Sequence, residues 1–132
     1  MGAEPWDYFV PYETDVQAAM EKLREREFRA GRFNGSEENP ATIDEAREVA
    51  DADGTRSILD IDRVGDEPDY GVVVPLSSEQ LVEYYGTDRP TREMIEQNDE
   101  LFEQIERGHA IYIVVYKDHT SSEIYFGGYS YD

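Results

Sequence analysis

The chain has 132 residues, with 31 Asp and Glu against 12 Lys and Arg, a formal charge of −19 at pH 7. That length fits one domain, residues 1–132, around a single core, and the charge repels nucleic acid while suiting metal ions or basic proteins. Absence of cysteine excludes disulfides, thiolate metal sites and thiol catalysis, and no apolar run approaches the roughly 18 residues of a membrane span.

The opening "MGAEPWDYFV" has no basic region followed by an apolar stretch, and Trp6 stands where a myristoylation signal needs Ser or Thr. The expectation is a cytoplasmic protein with no secretory leader and no lipid anchor. "EPWDYFVPYE" places aromatic residues between prolines and predicts an extended arm packed on the body.

"TDVQAAMEKLREREFRAG" predicts a helix, with Thr14 and Gln17 at capping-box spacing and Gly31 just past its end. Val16, Ala19, Met20, Leu23 and Phe28 recur at helical spacing and form its buried stripe. After the polar loop "NGSEENP", "TIDEAREVADADG" predicts a short helix from Thr42, ended by Gly54. "TRSILDIDRV" and "YGVVVPL" read as two strands, neighbours in antiparallel pairing.

"SSEQLVEYYG" predicts a third helix with Ser77 and Gln80 as its cap pair. "TREMIEQNDELFEQIERG" predicts the longest regular helix of the second half, with Met94, Ile95, Asn98, Leu101, Phe102 and Ile105 facing inward. The last segment, "AIYIVVYKDHTSSEIYFGGYSYD", is a β-hairpin with "KDHTSS" as its loop. Gly127 and Gly128 there suggest a bulge or the close approach of another backbone. The fold class is therefore α/β in the broad sense (α+β). It combines an antiparallel four-stranded sheet with about four helices packed mainly on one face.

"VADADGTRSILDID" concentrates hard oxygen donors around a glycine. Calcium takes about 6–8 oxygens from carboxylates, carbonyls and hydroxyls around a tight turn. Asp51 and Asp53 supply carboxylates, Thr55 a hydroxyl or carbonyl, and Asp60 an orienting or closing acid, with Ser57 continuing the oxygen supply. Val49 occupies the first EF-hand ligand position and a strand is predicted to follow, so the loop is no EF-hand. Glu37 and Glu38, in the loop before the same helix, are the candidates to complete the site. The competing reading is an ordinary Asp-Gly turn into a strand.

A second concentration, Glu96, Asp99, Glu100, Glu103 and Glu106, lies along the long predicted helix and reads as a solvated flank. Asp118, His119 and Ser121 cluster in one turn, which is not triad geometry. With no nucleophile elbow, P-loop or His-rich zinc pattern, the expectation is a protein that is not an enzyme.

"EPWDYFVPYE", "DGTRSILDI", "GTDRPTREMI", "IERG", "YIVVYKD" and "GGYSYD" together resemble the small acidic calcium-binding proteins of filamentous cyanobacteria, the CcbP family, and their bacterial relatives. The resemblance implies a cytoplasmic, non-EF-hand calcium binder with sites of unequal strength, serving as a Ca²⁺ buffer or sensor connected with heterocyst differentiation. It carries no ligand positions over to this chain. The expected form is a monomer binding calcium ions. The alternative is an acidic interaction protein, a DNA mimic or an inhibitor of a basic partner. Low lysine, only Lys22 and Lys117, leaves a salt-adapted surface as a further reading.

Overall fold

The computed structural model describes residues 3–131. Met1 and Gly2, on which the lipid-anchor expectation partly turns, and Asp132 lie outside the described residues. The strands are β1 (Pro5–Pro11), β2 (Arg63–Val64), β3 (Val72–Pro75), β4 (Ala110–Lys117) and β5 (Thr120–Tyr129). The helices are α1 (Val16–Ala30), α2 (Ile43–Ala50), α3 (Ser78–Tyr85) and α4 (Arg92–Gln97).

The sheet has five strands in the order β1-β5-β4-β3-β2, not four, and it is mixed. β1, β5 and β4 pair antiparallel, whereas β4, β3 and β2 pair parallel. The additional strand is the N-terminal arm, which pairs from Pro5 opposite Tyr129 to Pro11 opposite Glu123. Proline at both ends suits an edge strand, because a missing N–H there need not break a ladder and blunts pairing with another chain.

"TRSILDIDRV" is mostly not a strand. Ser57 Oγ accepts from the Leu59 amide at 3.1 Å and starts a 3₁₀ turn over Ile58–Asp60. Side chains satisfying backbone donors locally offer the chain an alternative to the ladder. Only Arg63 and Val64 pair, in parallel with β3 rather than antiparallel.

Strand alternation gives both faces of the sheet an apolar surface, so helices cover both rather than mainly one. Trp6, Val10, Ile124 and Phe126 pack with Met20 and Leu23 of α1. On the other face Ile111, Ile113, Val115 and Tyr125 pack with Leu81 of α3, Ile95 of α4 and Leu101.

The long helix of the second half breaks. α4 ends at Gln97, Asn98 is extended (φ −139°, ψ 109°), and the chain resumes as a 3₁₀ turn over Glu100–Gln104. Asn98 does not face inward as one turn of a helix. Its Oδ1 accepts from the Glu100 amide at 2.9 Å and its Nδ2 donates to Tyr84 O at 2.7 Å. Leu101 is nonetheless buried, with Phe102 and Ile105 against the same core.

Helix starts follow the expected chemistry with one shift: α1 is capped by Asp15, which accepts from the Ala18 amide, rather than by Thr14. Thr42 caps α2 and Ser77 with Gln80 forms a complete capping box on α3. α2 stops at Ala50, and Gly54 instead ends a following 3₁₀ turn over Asp51–Asp53. The hairpin loop narrows to Asp118 and His119, with φ of 51° and 65°, the left-handed pair a two-residue turn requires. At Gly128 a Cβ would lie 2.6 Å from Trp6 Cζ2 and 2.7 Å from His109 O, so close approach explains that glycine.

Candidate cation site

The acidic stretch divides into an outer and an inner part. Asp51 (φ 51°, ψ −134°) and Asp53 are exposed on the 3₁₀ turn after α2. At Gly54 (φ 74°) the chain turns inward, and from Thr55 to Asp60 all residues except Arg56 are buried. A Cβ at position 54 would lie 2.8 Å from Asp60 Oδ2 and 2.9 Å from Tyr131 Cδ2, which leaves room only for glycine.

Thr55 and Asp60 face each other, not the solvent. Asp60 Oδ1 accepts from the Thr55 amide and the Thr55 hydroxyl, both at 2.8 Å, while the Ser57 hydroxyl lies 2.8 Å from that of Thr55. Ser57 O–H therefore donates to Thr55, which donates to Asp60. Asp60 is 3% exposed, and its Oδ2 is buried without a hydrogen-bond partner. Burial pushes its pKa up; the Thr55 amide and hydroxyl, Arg47 and the Arg56 amide pull the other way. Nearby, Arg47 donates to Asp62, so the one base of α2 is directed at an acid outside the outer turn.

Glu37 and Glu38 are exposed on the 3₁₀ turn over Ser36–Glu38, and the residues just before that turn are held to Gly54 and Thr55, just after the outer acids. The Asn34 amide donates to Thr55 O at 2.8 Å and Asn34 Nδ2 to Gly54 O at 3.1 Å. Beside them, a Cβ at Gly35 would lie 3.3 Å from Val49 Cγ1. Sequence reasoning did not single out Asn34, Arg47, Asp62 or Tyr131. Their roles arise from contacts between distant segments, which no local pattern announces.

From Glu37 to Asp53 the chain carries seven acids, Glu37, Glu38, Asp44, Glu45, Glu48, Asp51 and Asp53, and Arg47 is its only base. Most cations elsewhere are engaged with other acids: Lys22 with Glu13, Arg29 with Glu25, Arg32 with Glu27 and Arg92 with Glu123. This corner is thus a field of exposed, unneutralised carboxylates. Among the described residues, however, no three carboxylates or imidazoles converge closely enough to hold a metal ion. The donor chemistry fits Ca²⁺, but the arrangement is no ready-made cage, and side-chain rotation would have to assemble one.

The histidines lie apart from this corner. His109 packs edge-on against Tyr70 at 5.2 Å between ring centroids, and His119 is part of the hairpin turn.

No family model, curated protein or solved structure matches this chain.

Proposed function

We propose that this protein is a non-enzymatic, cytoplasmic Ca²⁺ buffer or sensor whose ion is gathered at the paired turns of residues 34–38 and 51–55. One observation supports the reading: Asn34 ties the chain just before the acidic turn of 36–38 to Gly54 and Thr55, just after that of 51–53, and among the described residues no Lys or Arg is seen paired with Glu37, Glu38, Asp51 or Asp53. Asp51, Asp53, Glu37 and Glu38 are the carboxylate candidates, and the Thr55 and Gly54 carbonyls already serve Asn34. Asp60 supports the loop from inside. The resemblance to the CcbP family supports the same reading and its connection with heterocyst differentiation.

An acidic interaction protein with a basic partner is the second reading, favoured by the lack of convergence among the described carboxylates. Calorimetric titration with Ca²⁺, repeated in excess Mg²⁺, separates the two. A Ca²⁺ site gives a saturable isotherm that Mg²⁺ leaves largely intact, and Asp51→Asn with Asp53→Asn weakens it by about tenfold or more. Heats that Mg²⁺ abolishes and that the double variant leaves unchanged would refute the Ca²⁺ reading.

A further inference from the structure

A pocket of about 370 Å³ lies on the sheet face covered by α4, far in sequence from the acidic turns. Its floor is made by strand alternation. Tyr125, Gly127 and Tyr129 point to one face of β5, and their β1 partners Phe9, Asp7 and Pro5 share that face. Gly127 lets the Phe102 and Tyr125 rings close over the strand, since a Cβ there would sit 3.2 Å from both Phe102 Cζ and Tyr125 Cε2. The far wall is Ile95, Glu96, Asp99 and Phe102. Trp6 borders the pocket from β1, while its ring packs against Gly128 on the opposite face.

This lining combines aromatic faces with three carboxylates. Asp7 Oδ2 accepts from the Tyr125 hydroxyl at 2.9 Å, which fixes the acid beside the rings. Among the described residues neither Asp7 nor Asp99 is paired with a Lys or Arg. At the rim the protein already shows what such a wall holds. The Arg92 guanidinium stacks 4.2 Å from the Phe9 centroid, with Glu96 at 3.5 Å and Glu123 at 3.0 Å.

We propose that this pocket binds a guanidinium group. A planar guanidinium stacks on aromatic faces and donates to carboxylates at its edge, using both kinds of wall at once. A quaternary ammonium uses only the rings and leaves the acids unpaired, and a bare metal ion gains nothing from the aromatic walls. The proposal is independent of the Ca²⁺ reading, because it uses none of residues 34–60.

Calorimetry reads the binding, because the ring of Trp6, the only tryptophan in the sequence, packs on the opposite face of the sheet. Titration of the full chain with agmatine, and separately with a Gly-Arg-Gly peptide, is expected to give a saturable heat. N-carbamoylputrescine and Gly-citrulline-Gly, in which a neutral urea replaces the guanidinium, and NaCl at matched ionic strength should not. Saturation by agmatine alone assigns a free small guanidine; saturation by the peptide assigns an arginine side chain of a partner. Glu96→Gln with Asp99→Asn, both exposed, should weaken binding by about tenfold or more while leaving the melting curve of a folded protein. Saturation of neither probe, an equal response to the urea counterparts, or unchanged affinity in the folded double variant would overturn the proposal.

Discussion

Asp60 is the residue on which the inner half of the acidic stretch depends. It accepts two hydrogen bonds from Thr55 while its own charge is disfavoured by burial. Asp60→Ala leaves the Thr55 amide and hydroxyl unpaired inside the protein and should cost about 1–3 kcal/mol in denaturant unfolding. The pH dependence has a definite sign. A raised pKa means that the folded state takes up the proton more readily. The stabilisation is thus full below the ordinary Asp value of about 3.9 and lost as pH rises through the raised value. The wild type should therefore lose stability relative to Asp60→Asn as pH rises above the ordinary Asp value, and a constant difference would contradict this.

Glu27, 3% exposed, slopes the opposite way. Its pKa is lowered, chiefly by hydrogen bonds from Arg32, against the cost of its burial. Its contribution is present above the ordinary Glu value of about 4.3 and disappears as pH falls through the lowered one. Asp51 stores strain of another kind, its positive φ of 51° combined with a ψ of −134° that lies outside the αL well. Asp51→Gly should raise the stability of the ion-free protein by about 1 kcal/mol while weakening Ca²⁺ binding, measured by melts with and without Ca²⁺.

At the scale of elements, the break at Asn98 offers a clean test. In a continuous helix Asn98→Ala would stabilise by about 0.5 kcal/mol through propensity. As a brace between the end of α3 and the 3₁₀ turn, Asn98 should instead be missed by about 1 kcal/mol, with faster amide exchange at Glu100. Helical spacing foresaw that Leu101, Phe102 and Ile105 face the sheet, because a short 3₁₀ turn still presents such positions inward. It could not foresee the break, since Asn98 acts through Tyr84, which only the fold brings near.

The same limit explains the strands. The hairpin, α1, α3 and the cap of α3 were legible because their chemistry is local, while the cap of α1 fell one residue later, at Asp15. "ILDID" alternates as a strand should, yet Ser57 and Asp60 give its backbone and side chains inward partners instead. The partner of β1 was not legible, because nothing near Pro5 signals Tyr129. Of the candidate site, the exposed acids could be read directly, but the inward rotation after Gly54 and the seating of residues 34–38 could not.

For the whole molecule, the excess of acids predicts two separable responses. Added NaCl should raise the melting temperature gradually by screening repulsion. Ca²⁺ at matched ionic strength should add more, about 2.7 kcal/mol at a hundred times its dissociation constant if the unfolded chain does not bind it. Equal effects of Ca²⁺, Mg²⁺ and NaCl would leave only general charge screening.

The pairing of β1 with β5 also governs when the protein can fold. Tyr125 meets Asp7 across 118 positions of the chain, so the edge of the sheet closes a long loop. Such contacts form late and slowly. During synthesis Trp6, Phe9 and Val10 leave the ribosome long before β5 and wait, unpaired, for that strand. Until then the aromatic segment of β1 is exposed surface in need of shielding.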